Sequence, residues 1–336
     1  MKKDIWLLTV IVFFVTVSLT FTSYCIGADA TKKPKYTLRL GHCVSDRHAY
    51  HLGSVRLAEL VKEYTGGEAE IKIYPNFQLG TEQVQNKNVQ MGTQDMSLGA
   101  INNLAPWYAP LNIFMQPYIF RDREHAFKVA DGSVGQSLRE GFIKATGMRL
   151  VTFFEYGWRC IANNKRPINK VDDFKGILVR VPKNAVMIDT YNALGAQATP
   201  IAWGETFNAL QQGVVDGFEG TPPIVLDLKF YEVIKYLSLS NTFYGFSNIV
   251  INEKTFQKLP QSVQDAILRA AKEAENYQRE LSIKQHNDAG SELNKKGVIV
   301  NNIDDLNPFR QKVQKVWTKY ESQIGKELFD AVVAVK

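Results

Sequence analysis

Strand-like and helix-like segments alternate along most of this chain, and this alternation limits the fold more than any other feature. The stretch "YTLRLGH" alternates in polarity and predicts a first strand over about 36–41. Apolar residues at helical spacing follow, and "TGG" ends that helix at Gly66. A strand "EAEIKIYP", a helix near 80–91 and a short strand "DMSLGA" come next. Strands that alternate with helices are typical of α/β proteins with a largely parallel sheet, so we expect this fold class.

The middle of the chain continues the alternation and predicts a second lobe. Helices are expected at about 123–131 and 133–146, and "MRLVTFFEYG" is the next strand. After Gly157, "RCIAN" and "ILVRV" predict new strands, and "YLSLSNTFYGFSNIVINE" leads back to the first lobe near Tyr244. The predicted lobe I contains residues 31–157 and about 245–284, and the predicted lobe II contains residues 158–244 and about 285–336.

The C-terminal part of the chain is predicted to be helical. Residues Gln261 to Ala289 include no Pro or Gly. At a rise of 1.5 Å per residue this segment is about 45 Å long, which is enough to brace both lobes. A final helix is expected over about 304–331.

The N-terminus has the pattern of an export signal. Lys2 and Lys3 precede a long apolar stretch, and the pattern A-x-A follows at Ala28 and Ala30. This indicates a signal peptide over residues 1–30 that is cleaved after Ala30. An uncleaved membrane anchor is the alternative, because the apolar part is long for a signal peptide.

Cysteine usage says little about function. Cys25 leaves with the predicted signal peptide, so Cys43 and Cys160 remain. Two cysteines do not form a disulfide framework, although they could pair in an oxidising compartment. We expect them to be unpaired and buried.

Composition and motifs argue against several functions. The net charge is +6, but the basic residues are scattered, which is not typical of a nucleic-acid-binding surface. A nucleophile elbow, a P-loop and a dinucleotide fingerprint are all absent from the sequence. His42, His48 and His51 lie close together in sequence and would allow a zinc site, but no acidic or cysteine ligand pattern accompanies them.

Two arginines lie in strand-like, apolar surroundings. Arg159 opens the second lobe, and Arg180 interrupts the apolar run "ILVRV". A guanidinium stays ionised, and its burial without a partner is costly. One interpretation is an internal ion pair. The other is a cleft in which a ligand carboxylate meets the planar fork of each arginine. The internal partners that the sequence offers are Glu155, Asp172, Asp173 and Glu219.

Aromatic residues favour the ligand cleft. They stand at the predicted ends of strands and loops beside the arginines, where they would form the apolar walls of a small-molecule pocket. Each one singly could equally be a core residue. These residues are Trp158, Trp203, Phe218, Phe243 and Tyr244.

Several motifs of the chain resemble those of the solute-binding proteins of tripartite ATP-independent periplasmic (TRAP) transporters, the DctP-like family. The resemblance runs from about Tyr36 to the C-terminus. The motifs are "LGTEQVQNKNVQMGTQDMSLG", "FEYGWRCIANNKRPI", "VDDFKGILVRVP", "ALGAQATPIAWGETFNALQQGVVDG" and "KFYEVIKYLSLSN".

The resemblance implies a two-lobed periplasmic protein that closes on a small organic acid and passes it to a membrane permease, and we expect the protein to be a monomer. It also implies that Arg180 binds the ligand carboxylate, that Arg159 contacts the ligand and that Trp203 lines the site. Neither a cofactor, a metal nor a catalytic residue is expected. The full set of predicted ligand-binding residues is Arg180, Arg159, Trp203, Trp158, Phe218, Glu219, Tyr244 and His42.

The chain departs from the family pattern in "DGFEGTP", where Phe218 and Gly220 replace polar residues that the family often carries. Ala100 and Cys43 stand where sialic-acid-binding relatives have a glutamate and an asparagine. We therefore expect a less hydroxylated ligand, such as a dicarboxylate, a 2-oxo acid or an aromatic acid.

A different class of function stays open at this point. A secreted two-lobed hydrolase or lyase would need an acid or base in the cleft. The acids that could serve are Glu155, Asp216 and Glu219.

Overall fold

The computed structural model of the protein describes residues 33–336, and the predicted signal peptide lies outside these residues. Ten strands form one sheet. They are β1 (Tyr36–Gly41), β2 (Ala69–Tyr74), β3 (Met96–Ala100), β4 (Met148–Leu150), β5 (Phe154–Asn163), β6 (Leu178–Val181), β7 (Gln197–Pro200), β8 (Gly217–Gly220), β9 (Tyr236–Asn252) and β10 (Ile299–Asn302).

Helices cover the sheet and connect its strands. They are α1 (Ala49–Tyr64), α2 (Glu82–Met91), α3 (Arg123–Asp131), α4 (Ser133–Thr146), α5 (Ala185–Leu194), α6 (Thr206–Gln211), α7 (Pro222–Asp227), α8 (Glu253–Gln257), α9 (Gln261–Lys295), α10 (Asn307–Ile324) and α11 (Lys326–Ala334). Short 3₁₀ helices lie at Ile101–Asn103, Ala109–Met115, Val171–Phe174, Trp203–Glu205 and Phe230–Glu232.

The sheet has two halves that meet at its long central strands. Its order is β2-β1-β3-β9-β5-β8-β6-β7, and β4 and β10 also pair with β9. The outer pairs β1–β2, β1–β3, β6–β7 and β6–β8 are parallel, as predicted. The central pairs β3–β9, β5–β9 and β5–β8 are antiparallel, so the prediction of a largely parallel sheet is wrong at the centre. We call β1 to β3 the first half and β6 to β8 the second half.

Two long strands pass from one half to the other. The strands predicted before and after Gly157 are one strand, because β5 continues through this residue to Asn163. The segments predicted around Tyr244 likewise form one strand of 17 residues, β9. Gly157 pairs with Gly245, and the register shifts on both sides of this pair. Register shifts of this kind bend a strand locally.

Gly157 is required where β5 crosses between the halves. Its φ of 92° lies in the region that favours glycine. A Cβ atom at this position would lie 2.6 Å from Cε1 of His286, which is on α9. Backbone conformation and the close approach of the imidazole ring therefore both exclude a larger residue.

Helix α9 spans both halves of the sheet. Its 35 residues correspond to about 52 Å, and it packs against α1, α7 and β5. It extends six residues beyond the predicted end at 289. The predicted final helix is two helices, α10 and α11, because Gly325 separates them at a φ of 100°.

Local signals explain most helix bounds. The side chains of Thr81, Asp122 and Asn184 each accept a hydrogen bond from a backbone N–H of the first turn of α2, α3 and α5. Gly92 and Gly195 end α2 and α5 in the left-handed conformation. The predicted bounds of α3 and α4 are confirmed.

Cys43 and Cys160 are both buried and free, as expected. Burial raises the pKa of the Cys160 thiol to about 12, so this side chain is an inert small apolar residue. Across residues 33–336, the helices are all too short or too polar to cross a membrane.

Candidate ligand-binding site

A small cavity lies where the two halves of the sheet meet. Its volume is about 30 Å³. This is room for about two water molecules. The side chains that line it come from both halves: Val44, Tyr50, Glu82, Ala100, Asn102, Asn103, Tyr156, Arg159, Arg180, Pro182, Trp203 and Ile224.

Arg159 forms an internal ion pair beside the cavity. Its Nε and Nη2 both donate to the carboxylate of Glu219, with Nη2 at 2.6 Å from Oε1. Its Nη1 donates to Oδ1 of Asn102 at 3.3 Å. Arg159 is only 3% exposed; burial lowers the pKa of its guanidinium, but the Glu219 carboxylate outweighs this effect, so the pKa is raised. Among the four acids that the sequence offered, the fold therefore selects Glu219.

Arg180 has more hydrogen-bond donors than the surrounding protein groups accept. Its Nε donates to the carbonyl oxygen of Ile201 at 2.9 Å, and its Nη1 lies 4.0 Å from Oε1 of Glu219. Within residues 33–336, neither terminal nitrogen of Arg180 has a hydrogen-bond acceptor in range. Burial and the nearby cation Arg159 together lower the pKa of Arg180 to about 10, although Glu219 acts in the opposite direction. The protein therefore neutralises the positive charge of this buried guanidinium only in part.

Trp203 forms one wall of the cavity. The guanidinium carbon of Arg180 lies 5.3 Å from the centre of the indole ring, within the range of a cation–π contact. Behind the indole, the rings of Phe230 and Phe218 lie at 5.2 and 6.1 Å between centres. Trp203 thus contacts both the cavity and the apolar core of the second half.

Glu82 faces the two arginines from the first half and was not among the predicted site residues. It is the first residue of α2, and it accepts a hydrogen bond from the side chain of Asn103. Burial raises the pKa of the Glu82 carboxyl to about 6, although Asn103, the Ala100 backbone and the two arginines each lower it. In the sequence, an acid at a helix N-terminus is explained by the helix dipole alone, so no local signal marks it as a site residue.

Two buried tyrosines complete the polar lining. Tyr50 lies on α1 and Tyr156 on β5, and the guanidinium carbon of Arg159 lies 4.5 Å from the Tyr156 ring centre. Burial raises the pKa of Tyr156 to about 12 and that of Tyr50 well above its usual value. Both hydroxyls therefore keep their protons and can donate hydrogen bonds.

Five predicted site residues do not line this cavity, and one of them, Glu219, lies beside it and holds Arg159. Phe218 points away from it, because neighbouring residues on a strand face opposite sides and Glu219 faces the arginines. Trp158 and Tyr244 pack on each other at 4.8 Å near the crossing of β5 and β9, and the Tyr244 hydroxyl donates to Glu155 at 2.7 Å. His42 is fully buried, and its Nδ1 accepts a hydrogen bond from the backbone N–H of Val44 at 3.4 Å.

The histidines do not form a metal centre. Nε2 of His42 lies 3.1 Å from Nδ1 of His51, whereas His48 caps α1 through the N–H of Tyr50. Burial lowers the pKa of His42 to about 3, so it stays neutral. No group of three potential ligands that could hold a metal ion occurs within residues 33–336.

The remaining acids that an enzyme could use are engaged in structural contacts. Glu155 pairs with Arg123 at 2.6 Å. Asp216 pairs with Lys165 at 3.0 Å and accepts from the N–H of Leu178 at 2.9 Å. Glu219 holds Arg159. An arginine pair, one acid and apolar walls between two halves of a sheet are suited to binding a small anion.

This architecture is that of a two-lobed solute-binding protein, with the site between the lobes. The chain belongs to the family of bacterial extracellular solute-binding proteins, family 7 (DctP), which matches residues 40–323. Members of this family serve transporters as binding proteins and are not enzymes.

Relatives and solved structures agree with this assignment. The 2,3-diketo-L-gulonate-binding periplasmic protein YiaO of Escherichia coli K12 is 32% identical over 267 residues, which cover 79% of this chain and 81% of YiaO. A TRAP periplasmic solute-binding protein from Polaromonas sp. JS666, bound to D-erythronate, has a TM-score of 0.87 and 32% identity, and the match covers 90% of this chain and 99% of that one. One from Sulfurospirillum deleyianum, with bound succinate, has a TM-score of 0.85 and 27% identity over 90% of this chain and all of that one.

Proposed function

We propose that this chain is a periplasmic TRAP solute-binding protein that captures a small hydroxylated monocarboxylate and delivers it to a TRAP membrane permease. This proposal depends chiefly on the unused hydrogen-bond donors of the buried Arg180 guanidinium. Its two terminal nitrogens have no acceptor within residues 33–336, although its side chain is only 3% exposed. A ligand carboxylate would supply the missing charge and accept both donors in parallel.

The charges around the cavity favour one carboxylate over two. Arg159 and Glu219 neutralise each other, which leaves Arg180 for the ligand and Glu82 on the opposite wall. A second ligand carboxylate beside ionised Glu82 would be repelled. Ligand hydroxyls can instead donate to Glu82 and accept from asparagine and tyrosine side chains.

This proposal differs from the expectation of a less hydroxylated ligand. That expectation depended on polar groups that are missing at Phe218, Gly220, Ala100 and Cys43 while Trp158 and Trp203 are kept. Phe218, however, packs into the core against Phe230. The polar partners come instead from the first half of the sheet, through Glu82, Asn102 and Asn103. Solved relatives support the broader class of small acids, because their bound ligands include D-erythronate, β-D-glucuronate and succinate.

Lobe movement is part of the proposal. A cavity of about 30 Å³ is too small for a four-carbon acid, so the lobes would have to separate for entry and close afterwards. The paired glycines Gly157 and Gly245, with register shifts beside them, are the hinge that we propose. Trp158 and Tyr244 would then act at the hinge and not on the ligand. The lobe boundaries remain those predicted above.

Location in the periplasm agrees with the names of relatives such as YiaO. We infer that residues 1–30 are a signal peptide that is removed on export. Mass spectrometry of the protein purified from a periplasmic extract tests this point, because cleavage after Ala30 leaves Thr31 as the first residue.

The ligand is tested by thermal shift and calorimetry with purified protein residues 31–336. The panel contains D-erythronate, L-galactonate, D-glucuronate and succinate. A ligand that binds only the native state at 100 times its Kd adds about 2.7 kcal/mol of stability, which is easily measured. We expect the hydroxylated monocarboxylates to bind more tightly than succinate at pH 7.5. Tighter binding of succinate would contradict the proposed role of Glu82.

A further inference from the structure

Ser45 and Asp227 join the two halves of the protein away from the arginines. Ser45 lies in the loop after β1, and Asp227 is the last residue of α7, which follows β8. The Ser45 hydroxyl donates to Oδ1 of Asp227, and the Ser45 backbone N–H donates to Oδ2 at 3.2 Å. Both carboxylate oxygens therefore hold one residue of the opposite half.

The position of Asp227 needs such a partner. An acid in the last turn of a helix faces the negative end of the helix dipole, which is unfavourable. Two hydrogen bonds from Ser45 offset this cost. Without Ser45, the carboxylate would depend on water and on the cations that share its surroundings, Arg47, Lys229 and Lys296.

This contact forms part of the wall between the ligand cavity and a larger groove. Val44 and Ile224 line the ligand cavity. A groove of about 520 Å³ lies on the other side, lined by His48, Pro223 and Asp227 among others. The segments Val44–His48 and Pro223–Asp227 therefore separate the site from this groove, and the contact between Ser45 and Asp227 fastens one segment to the other.

The loop is also attached to α9. Oε1 of Gln285 accepts from the N–H of Ala49 at 3.0 Å, and Nε2 of Gln285 donates to the carbonyl oxygen of Arg47 at 2.9 Å. The end of the loop is thus held by the helix that spans both halves, while Asp227 holds its middle.

We propose that Ser45 and Asp227 form an interlobe latch that closes the ligand cavity on the groove side and slows ligand release. The proposal rests on the proposed function, in which the lobes close over a small acid. The latch touches no ligand atom. It holds Val44 and Ile224 against the ligand, and it breaks when the lobes separate.

The latch is tested with Asp227→Ala, Ser45→Ala and the double variant. Asp288→Ala is the matched control, because Asp288 lines the same groove but pairs with Lys284 on its own helix at 2.5 Å. Hydrogen bonds to a charged group contribute about 1.5–3 kcal/mol, so we expect Asp227→Ala to raise Kd by about 10- to 100-fold, mainly through faster dissociation. D-Erythronate is the probe, measured by calorimetry and stopped-flow fluorescence.

Coupling between the two residues separates a latch from a general loss of structure. Ser45→Ala should weaken binding by itself but should add little in the Asp227→Ala background. The melting temperature of each ligand-free variant should stay close to that of wild type. Additive effects of the two substitutions, or unchanged dissociation rates in Asp227→Ala, would overturn the latch.

Amide hydrogen exchange tests the latch without a ligand. In ligand-free protein, the amides of residues 42–49 should exchange faster in Asp227→Ala and not in Asp288→Ala. If wild type binds none of the tested acids but this exchange difference is present, the proposed function fails, and the contact between Ser45 and Asp227 stands without a role in ligand release. If wild type binds but neither exchange nor affinity changes in Asp227→Ala, the latch fails and the proposed function stands.

Discussion

Replacement of Arg180 by methionine is the most direct test of the site. Methionine keeps most of the apolar stem and removes the charged fork. The change deletes one hydrogen bond to the carbonyl oxygen of Ile201 and a 4.0 Å approach to Glu219. Glu219 keeps both hydrogen bonds from Arg159, so it does not become an unpaired buried charge.

The expected effects on binding and on stability are very different in size. Truncating one partner of a desolvated charge pair typically costs about 2–5 kcal/mol, which raises Kd by about 30- to 4,000-fold. In the ligand-free protein, burial penalises the cation, as its lowered pKa shows. The lost hydrogen bond costs only about 1 kcal/mol, so the free energy of unfolding should change little.

The measurements are calorimetry with D-erythronate and thermal unfolding with and without the ligand. Arg149→Met is the control, because Arg149, on strand β4 and outside the cavity, is fully paired: its Nε and Nη2 donate to both carboxylate oxygens of Glu253 at 2.8 and 2.7 Å. We expect the control to lose stability and to keep its affinity, which is the opposite of the expected behaviour of Arg180→Met.

One result would refute the reasoning about Arg180. If ligand-free Arg180→Met melts far below wild type and binds with near-normal affinity, then the arginine is a structural residue. The ligand carboxylate would then have to bind elsewhere, and the assignment of the cavity as the ligand site would be wrong.

Three further predictions concern Trp203 in the cavity wall, the carboxyl group of Glu82 and the proposed hinge at Gly157. Trp203→Ala should weaken binding by about 1–3 kcal/mol and also lower the melting temperature. In Trp203→Phe, the fluorescence change that the ligand induces should largely vanish. Unchanged affinity in the alanine variant would exclude a contact between the indole and the ligand. Because the pKa of Glu82 is raised to about 6, this acceptor becomes protonated as the pH drops from 7.5 to 5. Over this range the affinity for a hydroxylated acid should therefore fall, and the affinity for succinate should rise. Calorimetry should show that both trends disappear in Glu82→Gln, and their persistence would implicate another group. Gly157→Ala should lower the free energy of unfolding in denaturant by about 2–4 kcal/mol, since it combines a positive φ with a clash against His286. Gly195→Ala, at a φ of 101° with open space around it, should lower it by only about 1–2 kcal/mol. Equal losses would rule out a tight contact with the imidazole ring.

Local patterns in the sequence were sufficient for much of the fold. Helices α3 and α4 have the predicted bounds, because apolar spacing and capping residues act within one or two turns. The guanidinium in the apolar run "ILVRV" was also marked by local chemistry, because a buried charge is costly wherever the chain places it. Arg159, Arg180 and Trp203 were predicted as site residues, and they all line the cavity.

The partners of these residues depended on contacts between distant strands. Four acids were equal candidates for Arg159, and only the pairing of β5 with β8 brings Glu219 to it across 60 positions of sequence. The same strand register turns Phe218 into the core, because a shift of one residue reverses every side chain on a strand.

The contribution of the first half of the sheet was invisible in the sequence. Glu82 is an ordinary first residue of a helix until the sheet brings its carboxyl group close to both arginines. Likewise, Gly157 and Gly245 are 88 positions apart, and only the pairing of β5 with β9 makes them neighbours. Local composition determines which segments become strands and helices, because those preferences act between near neighbours. The net charge around a cavity depends on side chains from distant parts of the sequence, and only the tertiary structure brings these side chains together.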